Sequence, residues 1–174
     1  QKAFETLGEE KCLSHLLNSP GNFTASKLAW IKENEPEVWE IVEKICFAKD
    51  YVRHKLTDDY VTDNIEAEGS MLFDYNKQCW SKELCDIIDF DTEKLPRIVS
   101  PTDLVGKITK EAAEDTGLFE GTPVICGSTD TVMEVFAAGG IEKEAMTIKL
   151  ATAGRICVIT DKTYPDKNLI NYSH

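Results

Sequence analysis

The chain has 174 residues, 42% of them hydrophobic and 29% charged, and a formal net charge of −12. This composition is typical of a soluble globular protein that can bury a core, and no apolar run has the length needed to cross a bilayer. The negative charge argues against nonspecific binding to nucleic acid or to an anionic membrane, because both require a basic patch.

The side chains that often bind metals or act as nucleophiles show no recognised spacing. The six cysteines contain no Cys-x-x-Cys pair, so we expect no zinc site and interpret them as buried, reduced thiols of a cytoplasmic protein. The three histidines have neither metal-ligand nor triad spacing. The sequence has no P-loop, no Gly-x-Gly-x-x-Gly turn and no His-Glu-x-x-His helix, so P-loop kinases, Rossmann dehydrogenases and zinc proteases have no support.

The first part of the chain is predicted to be helical. Leucines indicate a short helix before a turn at residues 18–21, and Thr24 can cap a second helix. Pro36 either ends that helix or begins the next one at its first turn. The next helix is predicted to bury one face, because four β-branched residues recur at helical spacing. These residues are Val38, Ile41, Val42 and Ile45.

Two further helices are indicated in the middle of the chain. Asp63, with Glu66 three residues later, can form a capping box at the start of a short helix. Residues 81–88 place several apolar side chains on one helical face. Trp80 follows a polar turn, and we interpret it as an anchor of the core.

A change from helix-rich to strand-rich sequence follows. Residues 105–108 are a plausible short strand, and Thr109 can cap a helix over residues 111–115. Gly117 lies where a helix commonly ends in the left-handed conformation. The composition therefore predicts a modest domain boundary near this point, which we draw between residues 1–108 and residues 109–174.

The last third of the chain is predicted to contain a strand, a polar turn and a hairpin. Residues 124–126 have the β-branched content of a buried strand, and residues 127–130 form a turn that places Asp130 after it. Two more apolar runs, at residues 146–150 and 155–160, are separated by small residues. They predict a hairpin whose tip lets backbone N–H groups approach anionic oxygens.

Short sequence motifs along most of the chain, called family words below, resemble those of the FGGY carbohydrate kinase family, and in particular its xylulokinase branch. The words occur in family order and cover about residues 21–174. They are Phe23-Thr24-Ala25-Ser26-Lys27-Leu28-Ala29-Trp30, Glu35-Pro36, Lys49-Asp50-Tyr51, Leu56-Thr57, Thr62-Asp63 and the Gly127 to Asp130 turn. The resemblance implies an α/β fold of the actin/hexokinase-like (ribonuclease H-like) type, present in part. Residues 1–108 would be the helix-rich end of the first lobe, and residues 109–174 the start of the second.

The resemblance also implies roles for individual residues. Asp130 takes the place of the base that deprotonates a sugar hydroxyl, although the local pattern alone favours an aspartate that caps a turn after a strand. Thr131 and Asn22 fall at substrate-contacting positions, and a loop cap is the simpler interpretation of Asn22. The hairpin tip, which lies against ATP phosphates in the family, corresponds to Ala151, Thr152 and Ala153. The two alanines replace a glycine and a serine of the family pattern, which weakens the expected contact with ATP.

Two functional hypotheses follow. The first is an ATP-dependent kinase for a ketose or polyol, cytoplasmic, with Mg²⁺ ligands outside this chain and a homodimer left open. The second is a noncatalytic relative that keeps the scaffold for interaction. Full-length family members are much longer than 174 residues, so we expect this sequence to be a central fragment that is inactive or nearly so alone. No nucleic-acid or membrane partner is expected.

Overall fold

Helices and short strands alternate along the part of the chain that the computed structural model describes, residues 5, 8–18, 23–152 and 154–173. The helices in that part are α1 (Glu9–Leu16), α2 (Thr24–Asn34), α3 (Pro36–Ile41), α4 (Ala48–Thr57), α5 (Asn64–Glu68), α6 (Lys82–Ile87), α7 (Lys110–Thr116) and α8 (Asp130–Ala137), with a 3₁₀ turn at Thr92–Lys94. The strands are β1 (Val61–Asp63), β2 (Phe73–Asp74), β3 (Cys79–Trp80), β4 (Arg97–Val99), β5 (Leu104–Lys107), β6 (Pro123–Ile125), β7 (Met146–Lys149) and β8 (Arg155–Val158).

The strands pair two by two. β1 and β4 are parallel, whereas β2 with β3, β5 with β6 and β7 with β8 are antiparallel. The parallel pair places the end of β1 beside the end of β4, so the residue that follows β1 lies at the same edge as the loop that leads into β5. None of the described helices has the length and apolar character needed to span a bilayer.

The larger hydrophobic core lies in the first hundred residues. Its buried members come from α1, α2, α6 and the loops beside them, and they are Cys12, Leu16, Leu28, Met71, Leu72, Leu84, Cys85, Phe90 and Leu95. Trp80 packs against this core with its ring centroid 6.3 Å from that of Phe73, and its indole N–H donates to Pro96 O at 2.7 Å. The prediction that Trp80 anchors the core is confirmed.

The prediction of one helix carrying four buried β-branched residues is wrong. Helix α3 ends at Ile41, where the side chain is 77% exposed, and Val38 is 45% exposed. Val42 and Ile45 do pack against the core, but from non-helical backbone, and the N–H of Ile45 donates to Lys94 O at 3.1 Å. A hydrogen bond to a distant segment therefore outweighs the local helical pattern.

The predicted caps at Asp63 and Thr109 are confirmed, whereas the one at Thr24 is wrong. Helix α2 begins at Thr24 itself, with Phe23 at the N-cap position and no side-chain cap. Asp63 accepts hydrogen bonds from the N–H groups of Ile65 and Glu66, each at 3.1 Å. Thr109 caps α7 by accepting from Ala112 N at 3.2 Å, and α7 ends at Gly117 with φ 76°. These are contacts within a few residues of sequence, which is why local patterns could predict them.

The strand predicted at residues 124–126 forms as β6, but it is not buried on both faces. Val124 is half-buried and Cys126 is buried with Val61 and Val105 in a second, smaller core, whereas Ile125 is 58% exposed. Successive strand side chains point to opposite faces, so Val124 and Cys126 share the face toward this core and Ile125 lies on the other face.

The cysteines are all free, but they are not all buried as expected. Cys12, Cys85 and Cys126 are buried, whereas Cys46 and Cys79 are exposed. Burial raises the pKa of the Cys85 thiol to about 12 and that of Cys126 to about 11. These two thiols therefore stay protonated at neutral pH. Cys85 acts as a small apolar side chain, whereas the Cys126 sulfur accepts a hydrogen bond from Arg53 at 3.3 Å.

The last described residues fold back onto the first half of the chain. Asn171 N donates to Asn18 Oδ1 at 2.6 Å, and Asn18 Nδ2 donates back to Asn171 O at 3.0 Å. Ser173 donates twice to the Glu68 carboxylate, from its N–H at 2.9 Å and its hydroxyl at 2.6 Å. Burial raises the pKa of Glu68, and the two hydrogen bonds partly offset that rise.

Candidate active site

The turn between β6 and α8 brings a carboxylate to the surface. The chain leaves β6 at Ile125 and passes through Gly127, whose φ of 74° lies in the left-handed region that glycine adopts without strain. Thr129 then caps α8 by accepting from Val132 N at 3.4 Å. Asp130 is the first residue of α8 and is exposed, and the positive end of the helix dipole favours its charge.

Thr131 holds the Asp130 carboxylate in a fixed orientation. The backbone N–H of Thr131 donates to Asp130 Oδ1 at 2.7 Å, and its hydroxyl lies 3.3 Å from the same oxygen. Thr131 itself is half-buried. Because both contacts use Oδ1, Oδ2 keeps its lone pairs for another partner among the groups that can reach this surface.

Two buried side chains from distant elements, Arg53 and Asp63, hold the turn. Arg53, on α4, donates to the carbonyl of Cys126 at 2.9 Å and also to the carbonyl of Val61. Ser128 donates its hydroxyl to Asp63 Oδ1 at 2.9 Å. These contacts join residues 73 and 65 positions apart, and they bracket Gly127 on both sides.

Arg53 and Asp63 belong to a buried cluster of two bases and two acids. Arg53 lies 2.8 Å from Asp50, and Lys49 Nζ lies 2.6 Å from Asp50 and 2.7 Å from Asp63. Both carboxylates are almost fully buried, at 1% and 0% exposed. Burial lowers the pKa of Lys49, but its hydrogen bonds to the two carboxylates outweigh that effect and the pKa is raised. Lys49 therefore stays charged, and the cluster is balanced in charge.

The carboxyl group of Glu66 lies close enough to Asp130 for the charge of Asp130 to raise its pKa. Burial raises the pKa of Glu66, Lys49 lowers it, and the negative charges of Asp63, Asp50 and Asp130 raise it further. The net direction is upward. Glu66 therefore holds a proton to a higher pH than an ordinary glutamate, and the charge of Asp130 contributes to that.

The predicted hairpin is confirmed as β7 and β8, with Ile148 opposite Ile156. Ala151 and Thr152 lie exposed at its tip. Ala153 and Asn22 lie outside the described residues. Helix α8 contacts this hairpin through an ion pair, since Lys149 Nζ lies 2.6 Å from Glu134. The helix that begins at Asp130 is thus connected to the strand that leads to the tip.

A close approach at Gly140 sets the spacing between α8 and β7. A Cβ atom at this position would lie 2.7 Å from Val135 Cγ1, 3.0 Å from Val135 O and 3.3 Å from Thr147 Cγ2. We expect Gly140→Ala to lower the free energy of unfolding by about 1–3 kcal/mol, because a backbone oxygen cannot yield as a flexible side chain can. Urea unfolding measures the loss.

Gly154→Ala is the matched control for this prediction. Its Cβ would meet no atom within 4 Å, so its unfolding free energy should stay within about 0.5 kcal/mol of the parent. Equal stabilities for the two variants would contradict the proposed contact between α8 and β7.

Comparison with known proteins identifies the family. The family model described as "FGGY family of carbohydrate kinases, N-terminal domain" matches residues 12–137, which include α8 and its first residue. The chain belongs to the FGGY family of carbohydrate kinases. The FGGY match runs across the boundary predicted after residue 108, and the position of that boundary stays a prediction.

Similar FGGY proteins include several described as sugar kinases. The xylulose kinase of Lactococcus lactis is 33% identical over 150 residues, which are 86% of this chain and 30% of that protein. Solved structures agree in fold. The xylulose kinase of Rhodospirillum rubrum superimposes with a TM-score of 0.83 and 28% identity over 91% of this chain, and the gluconate kinase of Lactobacillus acidophilus with 0.83 and 25% over 96%.

The chain spans about a third of the length of these FGGY relatives. It covers 30% of the Lactococcus protein and 33% and 36% of the two solved structures. The mixed α/β fold is therefore that of FGGY kinases over about one third of their chain. Which part of the two-lobe fold these residues form stays a prediction.

The described residues contain no group of three or more His, Cys, Asp or Glu side chains that could hold a metal ion. FGGY kinases in general use ATP and Mg²⁺. Sequence reasoning named Asp130 and the tip but missed Arg53 and Ser128. The only signal for them was their position inside the family words, since their partners lie far away in sequence.

Proposed function

We propose that this sequence supplies the base-bearing part of an ATP-dependent kinase that phosphorylates a hydroxyl group of a ketose or polyol. The observation that carries the proposal is Asp130. It is an exposed carboxylate at the start of α8, oriented by Thr131 through Oδ1, in a chain of the FGGY family. Xylulose is the first candidate substrate, because several relatives are described as xylulose kinases.

In the proposed reaction, Asp130 acts on the substrate hydroxyl. Oδ2 accepts the hydroxyl proton as the sugar oxygen forms a bond to the γ-phosphorus of ATP, and the bond between that phosphorus and the β–γ bridging oxygen breaks to release ADP. Mg²⁺, when bound to the phosphates, would offset the charge that develops on them. The hydroxyl of Thr131 already lies 3.3 Å from Asp130 Oδ1, so any contact that it makes with the substrate would be made while it also contacts Asp130.

The hairpin tip is the proposed phosphate contact. Ala151 and Thr152 are exposed there, and we propose that backbone N–H groups and the Thr152 hydroxyl donate to phosphate oxygens of ATP. Asn22 and Ala153, outside the described residues, complete the proposed set for substrate and phosphate. We expect this activity in the cytoplasm, where ATP is available, and a homodimer stays a prediction.

A coupled ADP-release assay tests the proposal. The longest natural reading frame that contains this sequence would be assayed with ketopentoses, other ketoses, polyols and gluconate, each with and without Mg²⁺. We expect release of ADP that depends on one ketose or polyol. A folded protein that releases ADP with none of them would overturn the kinase proposal and favour the noncatalytic scaffold. The alanines at positions 151 and 153, which replace the family's glycine and serine, are the sequence feature that favours the scaffold.

A further inference from the structure

The segment that carries Asp130 needs support from outside itself. Residues 126–129 belong to neither β6 nor α8. Gly127 has the left-handed conformation, and glycine, which has no Cβ atom, can change between this and other conformations easily. At the end of this segment, Met133 N donates to Thr129 O at 3.0 Å. At its start, Cys126 N donates to Asp103 O and Gly127 N donates to Pro101 O, both at 2.9 Å. Ser128 lies between these bonds and Asp130.

Ser128 is held by a hydrogen bond to a side chain that is itself held in place by several contacts. Its hydroxyl donates to Asp63 Oδ1, which also accepts from the N–H groups of Ile65 and Glu66 at the start of α5. The other Asp63 oxygen lies 2.7 Å from Lys49 Nζ. Asp63 therefore has contacts on both oxygens and is 0% exposed, so it offers Ser128 a fixed anchor.

The free energy that it costs to bury the Asp63 carboxylate indicates that this residue does more than stabilise the fold. Placing a carboxylate at full burial requires compensating partners, and well-packed apolar residues often stabilise a core as well as a buried ion pair does. Here the charged groups do something that an apolar cluster could not, because they direct one acceptor oxygen at the hydroxyl two residues before Asp130. An error of about 1 Å in a reacting group can cost on the order of 100-fold in rate.

We propose that Asp63 and Ser128 are positioning residues for the Asp130 carboxylate. Ser128 transmits the fixed position of Asp63 to the turn, and Arg53 holds the preceding carbonyl of Cys126 in the same way. Neither residue touches substrate in this proposal. It rests on the proposed function of Asp130 as the general base.

The test uses the longest natural reading frame and the sugar found in the assay above. Ser128→Ala removes the hydroxyl and leaves the Asp63 contacts to Ile65 and Glu66 intact. We expect kcat to fall about 10- to 100-fold, while KM for sugar and for ATP changes less than about two-fold, because the carboxylate is misplaced and the binding surfaces are not. Ser128→Thr keeps a hydroxyl and should recover most of kcat.

A stability-matched control separates positioning from folding. Thr109→Ala removes the hydroxyl that accepts from Ala112 N at the start of α7, so it should shift the urea midpoint by a similar amount and leave kcat unchanged. Asp63→Ala, which removes the acceptor oxygen, combined with Ser128→Ala should lower kcat no further than Asp63→Ala alone, since both changes act through one contact.

The outcomes separate the two proposals. A wild-type protein without sugar-dependent turnover removes the kinase function and this inference with it. Normal wild-type turnover with unchanged kcat in Ser128→Ala, a loss of kcat equal to that of Thr109→Ala, or strictly additive effects in the double variant would each overturn the positioning role and leave the kinase function standing.

Discussion

Asp130→Asn is expected to lower kcat by about 10²- to 10⁴-fold, the range that a positioned general base contributes. Asparagine has the same shape and can still accept the hydrogen bond from Thr131 N, so the start of α8 should stay folded. It cannot take up the hydroxyl proton. Steady-state kinetics of the longest natural reading frame with its sugar, compared with the wild type, gives the measurement.

Asp115→Asn provides the control for the same chemical change. Asp115 is exposed on α7, so kcat should remain at the wild-type value. Sugar-dependent turnover that survives Asp130→Asn would remove Asp130 from the base role. A loss of turnover accompanied by a lower urea midpoint than that of Asp115→Asn would instead point to a structural role at the start of the helix.

Features set by neighbouring residues could be predicted from the sequence. The cap at Thr109, the left-handed stop at Gly117 and the cap at Asp63 each depend on hydrogen bonds that span a few residues. The hairpin of β7 and β8 follows from two apolar runs around small residues. Such signals are local, so one sequence contains all the information they need.

Features set by distant contacts could not be predicted in this way. The segment after Ile41 has a helical pattern, yet Ile45 is held by the carbonyl of Lys94, which sequence spacing does not indicate. Ile125 has the composition of a buried strand residue, but it is 58% exposed. In both cases tertiary packing decides the outcome that local propensity leaves open.

The candidate site likewise combines a local feature that the sequence predicts with distant contacts that it does not predict. Asp130 was named because its turn matches a family word, and α8 begins at that residue as the turn requires. The family words also contain Lys49 and Asp63, but the local sequence pattern indicates only a helix cap at Asp63. Their convergence on the turn depends on the pairing of Ser128 with Asp63 across 65 positions, which no local pattern could predict.

Arg53→Ala is expected to lower the free energy of unfolding by about 3–5 kcal/mol, the usual cost of removing one partner from a buried ion pair. Asp50 would remain 1% exposed with Lys49 as its only remaining basic partner among the described residues. The carbonyls of Cys126 and Val61 would lose a donor. Urea unfolding followed by tryptophan fluorescence measures the change.

Arg97→Ala is the matched control, because it removes the same side chain from a surface pair. Arg97 is 65% exposed at its side chain and lies 3.8 Å from Asp59, so its loss should cost less than about 1 kcal/mol. A cost below about 1 kcal/mol for Arg53→Ala as well would contradict a buried, charge-coupled cluster.

A double variant tells the cost of an unpaired buried charge from the cost of lost packing. Asp50→Asn in the Arg53→Ala background removes the carboxylate charge that Arg53 balances, and its amide oxygen can still accept from Lys49 at the position of Oδ1. Unfolding free energy should therefore recover by about 1–2 kcal/mol relative to Arg53→Ala alone. If the second change brings no recovery, the aliphatic part of Arg53 and its bonds to the two carbonyls account for the loss, and the charge of Asp50 does not.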